Sequence, residues 1–483
     1  MKRKFITNLL LLLFLNVLIK PFWIFGIDRH VNNLVGVENF GLYSSLLSFS
    51  IILNILLDLG ITNFNNKNIA QHQQLMKKHI SNIVGLKFLL AGIYAFICIL
   101  IALIIGYKGI QLQLLIFLIL NQFLISFTFY LRSNISGLHL FRTDSFLSIL
   151  DRSLMIIICS VLLFTNITNH VFKIEWFVYA QTVAYLIASM ITLAVVLSHT
   201  GKLKFQFDRR FFIVFLRKSY PYALLILLMS FYNRMDSVML ERLLPDPIGK
   251  EQSGIYYQAF RLLDAVSMFG VLFAGLLLPI FARMIKKKED IGSMIQLAFL
   301  LLLVPAIIIS FSSGFYDNEI MNLLYVSNVE LSASILQILM ISFLGIATTY
   351  IFGTLLTANG SIRQLNWMAL AGMGINIGLN LILIPKMQAL GSAWASLATQ
   401  LFTASAQTIL AVIILKLTIN YRLIGKLILF VCFVFMAGYF CRKIDTWYLG
   451  YATMIVASIS FAFISRLINL KALAQIIRND QQV

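Results

Sequence analysis

The sequence predicts an all-α, polytopic membrane protein of about fourteen transmembrane helices, arranged as two parallel six-helix lobes with two further C-terminal helices. Three observations predict it. Of the 483 residues, 60% are hydrophobic and 12% charged, with a mean hydropathy of +0.89; a soluble domain carries about twice that charged fraction. Apolar runs of about twenty residues, each long enough to cross a hydrocarbon core of about 30 Å, recur from end to end. Lys and Arg collect in every second loop, as they do where cytoplasmic loops retain positive charge.

In chain order the predicted spans are 5–27, 40–61, 81–107, 110–131, 145–165, 176–198, 219–239, 253–282, 291–311, 331–357, 364–385, 389–417, 423–441 and 446–468. All are helices, because a lipid-exposed backbone must satisfy its own hydrogen bonds and the runs are too long for barrel strands. The opening Lys2, Arg3 and Lys4 followed by an apolar run resembles a secretory signal. The run continues to about Ile27 with no small-residue cleavage site, so it is read as the first span, with the N-terminus cytoplasmic.

That start tests the topology. Basic residues then crowd the inner segments, among them Lys77, Lys78, Arg209, Arg210, Lys287 and Lys288, while outer segments carry few, such as Lys108 and Lys250. The net charge of +19 is therefore a topology signal and not a nucleic-acid footprint. An even span count places both termini on the cytoplasmic side.

The longest inner loop, about 199–218, includes Asp208, Arg209, Arg210, Arg217 and Lys218 around apolar residues, which predicts a short helix in the inner interface. It falls where a linker between halves belongs. A shift of 213 residues lays Gly41-Leu-Tyr43 on Gly254-Ile-Tyr256 (254 − 41 = 213) and the first span on the seventh. The expected division is a 1–205 N-lobe, a 206–418 C-lobe and 419–483 as additional helices. Both repeats start on one membrane side, which makes the lobes parallel.

Three stretches carry a family resemblance. They are Val35-Gly-Val-Glu-Asn-Phe-Gly-Leu-Tyr43 with Leu57-Asp-Leu-Gly-Ile61; Asn233-Arg-Met-Asp-Ser-Val-Met-Leu240 with Gly254-Ile-Tyr-Tyr-Gln-Ala-Phe-Arg261; and Asn376-Ile-Gly-Leu-Asn380 with Ile384-Pro385 and Gly391-Ser-Ala-Trp-Ala395. Their order and placement resemble the oligosaccharide flippases of the multidrug/oligosaccharidyl-lipid/polysaccharide exporter superfamily. The resemblance covers most of spans one to twelve. It implies two lobes around a central cavity and a polyprenyl-diphosphate-linked sugar as substrate, moved from the inner to the outer leaflet. Polysaccharide polymerase and glycosyltransferases are the expected partners in that setting.

Ionisable residues inside the spans point to a site independently, since each costs a few kcal/mol at the bilayer centre and must face protein or water. Asp58, Lys87, Asp151 and Arg152 are expected in an inner tier; Lys20, Arg234, Asp236, Arg261 and Asp264 in an outer one. Lys20, Lys87, Arg152, Arg234 and Arg261 are the candidate substrate-binding cations, since fixed cations can replace water around phosphate and Arg adds a bidentate fork. Asp58, Asp151, Asp236 and Asp264 are candidates for pairing those cations or for coupling to H+ or Na+.

The cysteines Cys98, Cys159, Cys432 and Cys441 lie in apolar runs without metal spacing, the histidines are scattered, and no phosphate loop follows Gly201-Lys202, Gly249-Lys250 or Gly425-Lys426. No metal or cofactor is expected. A cation-coupled exporter of the same superfamily is the first alternative; it should have an acidic cavity, whereas here each acid is balanced by a base. A membrane glycosyltransferase or polymerase is the second. The longest outer loop, about 312–330, has Asp317, Glu319 and Glu330 but no Lys or Arg, and is too small for a catalytic domain.

Overall fold

The computed structural model describes residues 15–16, 18–19, 21–62, 65, 69, 75–138, 140–165, 172–200, 209–418 and 420–467. Lys20, most of the first predicted span and part of the expected linker lie outside the described residues. Among those described, fourteen α-helices and two short helices of other pitch carry the fold, with no strand. Eleven of the helices are long and apolar enough to cross a membrane. Contacts group the chain into two units, Met1–Tyr257 and Gln258–Val483.

In the first unit a π-helical stretch, Phe22–Asp28, runs into α1 (Arg29–Val35), and Gly36, at φ 81°, turns the chain into α2 (Val37–Ile52). Then come α3 (Leu75–Ile105), α4 (Ile110–Gly137), α5 (Phe141–Phe164), α6 (Ile174–Thr200), α7 (Arg209–Leu243) and the start of α8 (Ile248–Lys287). Helical periodicity sorts each surface. On α4, Leu114, Leu118, Leu124 and Leu131 are buried, while Ile116 and Leu120 stay exposed, as an apolar face toward lipid requires. Ile83 and Leu90 of α3, Phe127 and Ile135 of α4, Leu147 of α5 and Val196 of α6 form one core.

The separate interfacial helix expected near 208–218 is not separate. The helix α7 is continuous from Arg209 to Leu243 and carries Pro221 inside it. A proline there costs one backbone hydrogen bond and need not end a helix that neighbours support.

The two Gly-x-Tyr stretches meet. A methyl group at Gly41 would collide with the Lys250 carbonyl, and one at Gly254 with the Val37 carbonyl. The 213-residue shift carries Val37 onto Lys250 (250 − 37 = 213) and Gly41 onto Gly254, so this contact maps onto itself. So do its flanks: Phe40 packs its ring 5.7 Å from that of Tyr257, and Ser44 Oγ lies 3.3 Å from Ser253 Oγ. Glycine is required because backbone meets backbone.

The end of α7 is held in the same unit by Glu241. Its buried carboxylate accepts from Arg242 Nε at 2.6 Å, Gln111 Nε2 at 3.1 Å, Tyr107 Oη at 3.3 Å and Ser45 Oγ at 3.4 Å. Arg242 lies 3.8 Å over the Tyr107 ring. A buried carboxylate with this many donors ties α7 to α2 and to the α3–α4 turn.

The second unit holds the rest of α8, then α9 (Gly292–Phe315), α10 (Asp317–Leu324), α11 (Val329–Ala358), α12 (Ile362–Leu415), α13 (Tyr421–Cys441) and α14 (Trp447–Ile464). At about 1.5 Å per residue the 54 residues of α12 would outreach a bilayer, and they do not run straight. The backbone breaks at Gln388, with φ 51° and ψ −131°. Ser392 Oγ donates back to Asn380 Oδ1 at 2.9 Å, and Asn380 Nδ2 to Asn376 Oδ1 at 3.2 Å. Gly391 allows the return, its Cα facing the Leu383 carbonyl. The predicted eleventh and twelfth spans are therefore the two arms of α12. The C-terminal pair packs on α9: Val304 and Ile308 share a core with Phe430 and Val434 of α13 and Met454 of α14. Gly438 seats the Phe315 ring, and Arg442 donates to the Phe315 carbonyl and to Glu319 Oε2 at 3.2 Å.

Candidate substrate-binding site

The helix α2 ends at Ile52, and a 3-10 turn, Asn54–Leu57, follows. Leu59 at φ 45° and Gly60 at φ 84° then reverse the chain in left-handed conformations. This is the Leu57-Asp-Leu-Gly-Ile61 stretch, and the break explains its composition. It frees the Leu57 carbonyl and needs a residue such as Gly60 to turn. Asp58 accepts from the Thr62 hydroxyl and lies 3.3 Å from the Thr62 backbone nitrogen, capping the chain as helix resumes.

Lys87 of α3 completes the arrangement. Its Nζ donates to Asp58 Oδ1 at 2.5 Å, to the Leu57 carbonyl at 3.0 Å and to Ser126 Oγ of α4 at 3.0 Å. All three ammonium donors are used, which is how a charge with 1% side-chain exposure is kept inside. Lys87 thus points at the break in the chain, and Asp58, 26% exposed, is the member that faces open space.

That space is a cavity of about 640 Å³ within the first unit. One wall is the break, with Asn54, Asp58 and Thr62. The other is a face of α4 read at three- and four-residue steps: Gln122, Ser126, Phe129, Ser133 and Ser136. Arg132 and Asp144 close it near the α4–α5 connection, Arg132 Nε donating to Asp144 Oδ1 at 2.8 Å. Asn65 Nδ2 donates to Ser133 Oγ at 2.8 Å and fixes the chain after the break to α4.

The other candidates fall elsewhere. Arg152 of α5 keeps Asp151 at 4.0 Å and sits 5.8 Å from the ring centres of both Trp23 and Tyr185. Asp236 is buried and accepts from Tyr256 Oη at 2.7 Å. Arg234, two residues before it on α7, is half-buried. Arg261 and Asp264 are half-buried on α8, in the second unit. Lys20 is outside the described residues.

Sequence reasoning missed Arg132 and Asp144 as site residues. It counted Arg132 as inner-loop charge because the apolar run stops at about residue 131, but α4 continues to Gly137. The polar residues Ser133, Asn134 and Ser136, at helical spacing past the apolar run, were the available signal. Glu241, which borders the outer loop in sequence, was missed for the same reason.

The family described as "Polysaccharide biosynthesis protein" matches residues 30–285, just over half of the chain. The chain belongs to this polysaccharide biosynthesis family. The match spans both sides of the cavity and the self-matching Gly41–Gly254 contact. Among solved structures, the lipid II flippase MurJ in an inward closed conformation superposes with a TM-score of 0.64 at 14% identity, covering 91% of this chain and 98% of MurJ. An inward-facing multidrug resistance MATE family transporter of the MOP superfamily gives 0.59 at 15% identity, over 79% of this chain and 93% of that one. A MOP superfamily transporter from Pyrococcus furiosus gives 0.56 at 12%, over 84% and 93%. At these identities the likeness shows the fold, which is that of the MOP transporters. No curated relative matches the sequence.

Proposed function

We propose that this member of the polysaccharide biosynthesis family is a flippase. It moves polyprenyl-diphosphate-linked oligosaccharide from the inner to the outer leaflet of the bacterial cytoplasmic membrane, by alternating access of a 1–205 lobe and a 206–418 lobe, with both termini cytoplasmic. The observation that carries the reading is the family match over residues 30–285. The cavity supports it over a cation exporter, because its acids are matched by bases: Asp58 by Lys87 and Asp144 by Arg132. Arg234 and Arg261 are the proposed contacts for the diphosphate, with Arg152 and Lys20 as further candidates. H+ or Na+ coupling is assigned to the acids. Lys87, committed to three internal acceptors, contributes by holding Asp58.

Deleting the gene should strand lipid-linked glycan in the inner leaflet, and restoring it should clear that pool. Arg234→Ala and Arg261→Ala should each abolish export at normal protein abundance, with Lys in their place recovering part of it. Asp236 keeps Tyr256 as a donor in Arg234→Ala, so low abundance rescued by removing Asp236 would instead mark Arg234 as a structural ion pair.

A further inference from the structure

Nine of the thirteen residues that line the cavity of the first unit have polar or charged side chains, set among apolar surface from Ile55, Ile125, Phe129 and Ile226. Its volume, about 640 Å³, lies within the ordinary range of small-molecule pockets. Three of its polar groups are idle. Among the described residues Gln122, Asn54 and Ser136 make no hydrogen bond, although Gln122 is only 6% exposed. These groups open on the cavity, so their donors and acceptors are available to an occupant. Arg132 commits only Nε to Asp144, leaving its two terminal amino groups, and Asp144 keeps Oδ2 as an acceptor. The pair therefore offers donors and an acceptor side by side.

The charge says what such an occupant is not. Two carboxylates and two cations, Asp58 with Lys87 and Asp144 with Arg132, sum to zero, and the Lys87 ammonium is sealed behind Asp58. A diphosphate entering here would meet both carboxylates and find one accessible cation, already paired. A neutral molecule whose groups each donate and accept suits the site better: hydroxyls against Gln122, Asn54, Ser136 and the Arg132–Asp144 pair, with Phe129 as an apolar face for a ring.

We propose that this cavity holds the sugar portion of the transported lipid, by its hydroxyl and amide groups, and that the diphosphate is held elsewhere. The inference rests on the flippase reading and adds a division of labour. Selectivity among glycans then belongs to Gln122, Asn54, Ser136, Arg132 and Asp144, and the shared lipid diphosphate is read by other residues.

The test uses full-length protein in nanodiscs carrying Ile125→Cys, an apolar cavity position, with Cys432 and Cys441 replaced by Ser; Cys98 and Cys159 are buried. The labelling rate with a water-soluble maleimide is measured against three probes. These are the lipid-linked glycan that accumulates in the deletion strain, the glycan freed from it by mild acid, and undecaprenyl diphosphate without sugar. Both sugar-bearing probes should protect the cysteine and the bare lipid should not. Adding Gln122→Ala should weaken protection by about tenfold, the loss of one net hydrogen bond, with Ser136→Ala as the second variant if the first does not fold. Equal protection by bare undecaprenyl diphosphate would overturn the proposal and place phosphate here. So would absence of protection by either sugar-bearing probe in protein that still flips the glycolipid in proteoliposomes, which would leave the flippase reading intact. If no lipid-linked glycan accumulates on deletion, the flippase reading itself fails, and this inference with it.

Discussion

Asp58→Asn should destabilise this protein more than Lys87→Met, although both break the same ion pair. In Asp58→Asn the Lys87 ammonium, 1% exposed, keeps the Leu57 carbonyl and Ser126 but loses its paired carboxylate. Stranding a buried charge costs about 3–5 kcal/mol. In Lys87→Met the stranded group is Asp58, which is 26% exposed to the cavity and still accepts from Thr62. Its residual cost, softened by water, is about 1–3 kcal/mol. Asn keeps an acceptor for Thr62, so the comparison isolates charge. Replacing both removes the desolvation penalty together with the attraction, and should return stability to within about 1 kcal/mol of wild type. The assay is reversible unfolding in detergent micelles, followed by intrinsic fluorescence, for the two single variants and the double. Equal costs for the singles, or a double variant as unstable as their sum, would refute the placement of Lys87 inside and Asp58 at the cavity edge.

Two other substitutions probe the backbone. Gly41→Ala, which drives a methyl into the Lys250 carbonyl, should cost about 1–3 kcal/mol, toward the upper end because a carbonyl cannot swing away; Gly92→Ala, with open space around it, should be neutral or stabilise by up to about 1 kcal/mol in the same melting assay. Gln388→Gly should stabilise by about 1 kcal/mol, since a non-glycine residue at φ 51° and ψ −131° is strained by about 1–3 kcal/mol and glycine is not. Gln388→Ala should bring no gain, and a gain equal to that of Gly would show that the backbone angle is not the cause.

Much of the architecture was legible because hydropathy is summed over about twenty residues and tolerates local error. Apart from α10, which falls inside the predicted outer loop 312–330, the helices from α3 onward, with the two arms of α12 about Gln388 and the C-terminal pair, overlap their predicted spans. The presence of ionisable residues inside the apolar runs was legible as well, since a charge within an apolar run is visible without knowing its neighbours. Pairing is a different kind of information. Lys87 and Asp58 are 29 residues apart, and they meet because α2 stops early, the chain unwinds at Asn54–Leu57 and the freed Leu57 carbonyl faces α3. Arg132 reads as a loop charge because hydropathy ends where apolar residues end, whereas a helix ends where its hydrogen bonds do, and α4 runs on to Gly137. Gly41 and Gly254 matched as a repeat in sequence, yet that they face each other's backbone follows only from two helices crossing at their own symmetric positions. The sequence alone determined which residues could not face lipid; which of them face each other, and which face the cavity, depends on helix ends and crossings, where single carbonyls and single Cβ atoms decide the geometry.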